Sequence, residues 1–424
     1  MAGIHLHPHD VIDEGMDNIL QRIGLVKNID HLFVEVNTIF ERNPYPVGVL
    51  PHNPVRDHVM GNGTLHVKLA PLKSRLQQKI DSSIISGADP LKTIGIATKN
   101  TPYKVIPWIN ILNGDFMGDI ENNQVVDYQG RVIPYWLCPN GPDVADYWQQ
   151  IFSDINKTYG FDTFLIDRIR FPDWAGKEVN PAGLSTCFCK HCQEKMRAQH
   201  IDPDGVRKIL NLVSQALKEG DFELAVSTFS KNPVITEWVT FRQKSVTQLV
   251  KNILEKVKES AGNINLWLDL WPPAYSWILG QDYHELTRYS STLKHFPYHK
   301  LGGGADVQGL INYYAKDEKS QEKAFHAFKQ LFKLPYDLNY STFKEQGFPI
   351  EFVKHQNNLV RKLSQPETYI YSGIQMWNLP PEQLIEAVDA AERSDCNDLL
   401  YYCYGWAEHS LFEAIAKYSH NKEM

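Results

Sequence analysis

Apolar runs of about five to eight residues recur along the chain, and amphipathic stretches of helical period separate them. Strands met in that order are parallel, because each helix carries the chain back to the end from which the next strand starts. Eight runs can be read, at 4–7, 31–37, 104–111, 161–172, 265–271, 295–299, 368–377 and 398–406. A parallel sheet of eight strands loses its edges by closing on itself. The predicted fold class is therefore α/β, a (β/α)8 TIM barrel.

Composition sets the remaining bounds. The chain has 424 residues, 43% hydrophobic and 22% charged, as in ordinary globular proteins. Length alone allows two or three domains, but barrels with long loops reach this size, so 1–424 is read as one barrel domain. A long loop is expected after strand two, over 38–70, with Asn43-Pro-Tyr-Pro and Gly61-Asn-Gly within it. Segment 173–262 is expected to be a cysteine-cluster loop and helical insertion after strand four. Helices are expected near 14–23, 72–83, 89–98, 142–159, 202–217, 236–260 and 410–418. A net charge of −7 offers no basic surface for a phosphate backbone, so nucleic acid is excluded as a partner. No run approaches the roughly 20 apolar residues of a membrane span. The start, Gly3-Ile-His-Leu-His, lacks a basic segment followed by an apolar one, which makes a cytoplasmic location the expectation. Association into a homo-oligomer stays open.

Of the six cysteines, Cys396 and Cys403 lie in or beside an apolar run and read as buried thiols. Cys187, Cys189 and Cys192 fall within six residues, a spacing suited to tetrahedral zinc. Cys138, His191 and His200 are candidates for the fourth ligand, and Cys138 is preferred because His191 adjoins Cys192 and would strain the coordination sphere. The pattern Cys-x48-Cys-x-Cys-x2-Cys resembles the zinc site of the beta-galactosidases of glycoside hydrolase family 42. Four thiolates leave no open position, so the zinc would be structural.

Active sites of such barrels lie at the carboxyl ends of the strands. His7, Glu35, Asn37, Asn110, Asp167, Arg170, Asp269, Tyr298, His299, Gln375 and Tyr404 should converge there. Trp108, Trp271, Trp377 and Trp406 belong to the same rim, where aromatic faces could bind a sugar ring. The alternative for each tryptophan is core packing. The stretches at 137–142, 164–172, 187–192, 298–300 and 402–406 resemble glycosyl-hydrolase-like barrel proteins, over roughly 108–406. The resemblance implies a carbohydrate substrate. It departs from family 42 at the catalytic glutamates, since strand four offers Asp167 and strand seven Gln375 and Trp377, so that family's acid pair does not carry over.

Glycoside cleavage needs one ionised and one protonated carboxyl group. Arg168 and Arg170 beside Asp167 are expected to keep it ionised, as a nucleophile or base. Asp269, set among Leu266, Trp267, Leu268, Leu270 and Trp271, is expected to be a buried, protonated acid, and Glu35 is the substitute for either. Two other readings compete. His5-Leu-His7-Pro-His9-Asp10 opens like the metal motif of the amidohydrolases, because residues two apart on a strand point the same way. A catalytically inactive barrel that binds glycans through its aromatic rim is the third.

Overall fold

The structure, a computed structural model, describes residues 2–39, 49–59, 61–175, 178–301 and 306–423. Eight strands close into one parallel barrel: β1 (Ala2–Leu6), β2 (Ile29–Glu35), β3 (Lys104–Asn110), β4 (Thr163–Asp167), β5 (Asn265–Leu270), β6 (Thr292–His295), β7 (Tyr369–Gln375) and β8 (Asp398–Tyr402). Their order around the barrel follows the chain, with β8 pairing back onto β1. Asn43-Pro-Tyr-Pro and Gly302-Gly303-Gly304 lie outside the described residues. No helix among the described residues is long and apolar enough to cross a membrane.

Alternation along each strand sends every second side chain into the lumen. Phe33, Ile106, Trp108, Leu165, Tyr371 and Leu400 fill its middle, with Trp267, Tyr369 and Tyr402 packed against them. Bulk from the neighbours requires a gap on β1, where a Cβ at Gly3 would lie 2.5 Å from the Phe33 ring. Outward side chains pack against the surrounding helices. Val144–Tyr159 buries Val144, Trp148, Ile151, Phe152 and Ile155, and ends at Gly160 in the left-handed conformation (φ 79°).

Three expectations need correction. The apolar spacing at 72–83 mimics a helix, yet Leu76–Gln78 is a strand paired antiparallel with Phe116–Gly118 from the loop after β3. A helix, Ser82–Ile85, starts only after it, capped by Asp81. The sixth strand is Thr292–His295 rather than 295–299, because Lys294, which reads as a surface residue, points inward. The run 398–406 is strand only to Tyr402, and Tyr404–Trp406 forms a 3-10 turn.

Two segments enlarge the barrel. Between β4 and β5 lie helices Lys190–Ala198, Pro203–Glu219, Phe222–Ser230 and Pro233–Ala261. Between β6 and β7 lie Val307–Tyr314, Glu318–Leu331, Tyr340–Gln346 and Glu351–Leu363, which the sequence reading passed over. Phe325, Phe328, Phe343 and Phe352 of the later segment share a second apolar core with Trp174, Phe222, Trp271 and Tyr275.

Beyond β2 and β3, Asn37 holds the two strands together. Its Nδ2 donates to the Asn110 carbonyl and its Oδ1 accepts the Asn110 amide, each at 2.8 Å. The Asn37 amide, expected to meet substrate, is instead a strand clamp. Asn37→Ala should lower stability by about 2 kcal/mol, the cost of orphaning two buried backbone groups, as read from the urea midpoint.

Candidate active site

Strand register builds the site. Asn110 pairs with Asp167, and Lys294 with Asp269. Ile166 pairs with Leu268, so the next residues, Asp167 and Asp269, lie side by side about 4.8 Å apart on neighbouring strands. Asn110, Asp167, Asp269 and Lys294 thus form a continuous row across β3–β6 at the carboxyl end of the lumen. Glu35 joins it from β2, where its Oε1 accepts from Asn110 Nδ2 at 3.0 Å. Three expected carboxyl groups are therefore neighbours.

Burial decides the chemistry of two of them. Glu35 and Asp269 are 2% and 1% exposed, against 8% for Asp167. Loss of water pushes the Glu35 carboxyl well above its usual range, and the charge of Asp167 adds to the shift. Burial likewise pushes Asp269 up to about 8, opposed chiefly by the Lys294 ammonium and reinforced by Asp167. Lys294 Nζ donates to Asp269 Oδ2 at 2.8 Å, leaving Oδ1 without a hydrogen-bond partner. The side chain of Lys294 has room to cross the lumen because β7 carries Gly373 there, where a Cβ would lie 3.2 Å from Lys294 Cε.

Aromatic rings wall the opening. Tyr298 stacks on Tyr402 at 5.9 Å and meets Trp377 edge-on at 5.2 Å. Trp377 and Tyr402 both pack against Trp406, and Trp108 against Tyr402. His7 stands 5.4 Å from Trp406. Several buried polar atoms here lack a hydrogen-bond partner: Nε1 of Trp108, Trp377 and Trp406, the Tyr298 hydroxyl, Asn110 Oδ1 and Gln375 Oε1. Such atoms are costly unless a ligand or water meets them.

Four other expected residues stand elsewhere or serve otherwise. Tyr404 turns away from the lumen, and its hydroxyl bonds Glu14 and Arg22. Tyr402, two residues earlier and in phase with the inward Leu400, takes its place. Arg170 pairs with Asp173 at 2.7 Å and lies over the ring of Trp271 at 4.9 Å, so both belong to the wall shared with the second core. Arg168, rather than Arg170, is the arginine whose charge lowers the values of Glu35 and Asp269. His299 is held neutral by burial, at about 3, and lines a cleft with Tyr275, Phe296 and Tyr298. Lys294 and Tyr402 were missed, although two-residue alternation from Thr292 and Leu400 points to both.

Two clusters could hold metal. Cys138, Cys187, Cys189 and Cys192 are buried with their sulfurs together, 3.3 Å for Cys138 to Cys192 and 3.6 Å for Cys138 to Cys189. All are free thiols. Amides of Val126 and Cys189 point at Cys187 Sγ, as donors do around bound thiolates. His7, His9 and Asp10 form the second cluster. The His5 ring is not part of it, and packs in the lumen against Phe33, Trp108 and Tyr402.

No family model matches the chain, and no curated protein matches it. Among solved structures, the catalytic domain of a beta-amylase from Paenibacillus polymyxa is similar, with a TM-score of 0.57 at 9% identity over 100% of this chain and 98% of that one. A beta-galactosidase from the haloarchaeon Halorubrum lacusprofundi is similar with a TM-score of 0.50 at 9% identity, over 98% of this chain and 57% of that one. The chain thus spans little more than half the length of the latter. What both share with it is the fold, a TIM barrel.

A carboxyl raised from 3.8 to about 8 on folding favours the folded state most below about pH 4, and that contribution is lost as pH climbs through about 8. The stability of Asp269→Asn relative to wild type should accordingly rise between about pH 4 and 8 in urea titrations. A pH-independent difference would mean that Asp269 is ionised throughout.

Proposed function

We propose that the chain is a glycoside hydrolase whose reaction takes place at the carboxyl end of the lumen. The observation that carries this reading is the row of neighbouring carboxyl groups beneath an aromatic wall with unpartnered donors and acceptors. Ring faces suit the apolar side of a sugar, and indole N–H groups and amide oxygens suit its hydroxyls. Structural neighbours named beta-amylase and beta-galactosidase favour a carbohydrate substrate.

In this reading Asp167, the most open of the three carboxyl groups, attacks the anomeric carbon. Asp269, which burial holds up to about 8, carries a proton at neutral pH and gives it to the departing glycosidic oxygen. Water then attacks the glycosyl ester, and Asp269 takes back a proton as the Asp167 carboxylate leaves. Adjacent strands favour the short carboxyl separation, about 5 to 5.5 Å, that accompanies retention of configuration. Glu35 is the rival acid, since burial raises it and no lysine is bonded to it. It stands two strands from Asp167, nearer the roughly 6.5 to 9.5 Å that accompanies inversion.

A screen of aryl glycosides and oligosaccharides should find a substrate whose turnover Asp167→Asn lowers by about a thousandfold or more, a loss of about 4 kcal/mol of transition-state stabilisation. The first-formed anomer, followed by NMR, should keep the substrate configuration. Binding intact in the variant but no turnover in wild type would favour a glycan-binding barrel instead. Inversion, with activity lost in Glu35→Gln and kept in Asp269→Asn, would move the acid to Glu35.

The four cysteines are proposed to hold a structural zinc ion. Their donor set is that of closed tetrahedral sites, and the site ties the ribbon after β3, through Cys138, to the loop after β4. Purified protein should hold one zinc per chain that resists mild chelation, and a mercurial thiol reagent should release it with a fall in Tm. Absence of tightly held zinc in metal analysis would exclude the role.

A further inference from the structure

The loop leaving β1 carries a second concentration of metal-ligating atoms, separate from the thiols and from the carboxyl row. We propose that His7, His9 and Asp10 bind one divalent transition-metal ion, zinc by chemistry, at the edge of the barrel mouth. The three side chains are buried, at 7%, 7% and 0% exposure, and one donor atom from each lies within 4.8 Å of the others. Asp10 Oδ1, the oxygen left free for a metal, is 3.3 Å from His9 Nε2. Ligands at about 2.0 to 2.1 Å around a tetrahedral ion stand about 3.3 Å apart, so small rotations close the set on a metal.

Hydrogen bonding supports the same reading. His7 Nδ1, His9 Nε2 and Asp10 Oδ1 have no hydrogen-bond partner. Three unsatisfied lone-pair donors in one buried spot cost free energy that an ion would recover. The backbone holds the group in place. Pro8 opens the helix Pro8–Glu14 and keeps His7 extended, while Asp10 Oδ2 accepts the His7 amide at 2.7 Å. One carboxylate oxygen is thereby fixed by an outer hydrogen bond and the other remains for a metal. The turn after β8 closes over it at Gly405, where a Cβ would come within 2.5 Å of Asp10 Oδ1.

Two imidazoles and a carboxylate select zinc, cobalt or ferrous iron over magnesium and calcium, which prefer oxygen alone. Three protein ligands leave a position for water, as in open sites rather than closed structural ones. His7 also packs on Trp108, Tyr402 and Trp406, so such an ion would border the aromatic wall. The site does not depend on the glycosidase reading, and its test needs no substrate.

The full chain, dialysed against EDTA and then freed of it, is titrated with Co2+ and followed by visible absorption and metal analysis. Wild type should take up one equivalent with ligand-field bands and no sulfur-to-metal charge transfer. His9→Ala and Asp10→Asn should each weaken that uptake by more than the roughly 10- to 100-fold that loss of an outer-shell partner costs. Asn at position 10 can still accept the His7 amide, so this variant keeps the cap, and an unchanged Tm identifies folded protein. No sulfur-free equivalent in wild type, or unaltered uptake in either variant, would overturn the proposal.

Discussion

Asp269 and Lys294 face each other at 2.8 Å inside the barrel, and much of the upper lumen is arranged around that contact. A lysine removed from water is costly to leave alone, because its ammonium would then be a bare buried charge, and the Asp269 carboxyl supplies the acceptor it needs. Gly373 opens the space that Lys294 crosses, and the rings of Phe296, Tyr298 and Tyr402 lie within 4.7 to 5.8 Å of its ammonium. Asp167 and Arg168 then act on the pair from β4, with opposite signs. Two carboxyl groups with raised proton affinity and a third, more open one result from where water is excluded.

The second apolar core explains why the mouth has the walls it has. Segments inserted after β4 and after β6 meet through Phe222, Phe325 and Phe328, with Trp174 and Trp271 beneath them. Arg170 lies between the rings of Trp136 and Trp271 while its charge is met by Asp173. Aromatic mass and a buried ion pair fill this side, and Trp377, Trp406 and His7 pack together on another.

Much of this was legible in the residues. The barrel was, because eight apolar runs separated by helices have few ways to bury both sheet faces. The cysteine cluster was, because three of its four thiols are close in sequence. Glu35, Asp167 and Asp269 were legible as polar residues at the ends of apolar strands. Lys294 was not, since in isolation a lysine in a four-residue strand reads as a surface residue. Leu76–Gln78 was not, because its partner strand lies beyond β3. Tyr404 was preferred to Tyr402, although strand alternation from Leu400 favours the latter.

By itself the sequence determined the periodicities, the caps, the thiol spacing and the residues able to carry acid, base or metal chemistry, all set by neighbours along the chain. Tertiary structure alone decided which of them meet. Register across β3–β6 aligned Asn110, Asp167, Asp269 and Lys294, burial raised the proton affinity of two carboxyl groups, and the turn after β8 came against Asp10 at Gly405. Those outcomes depend on distances between strands and on exclusion of water, which no local pattern encodes.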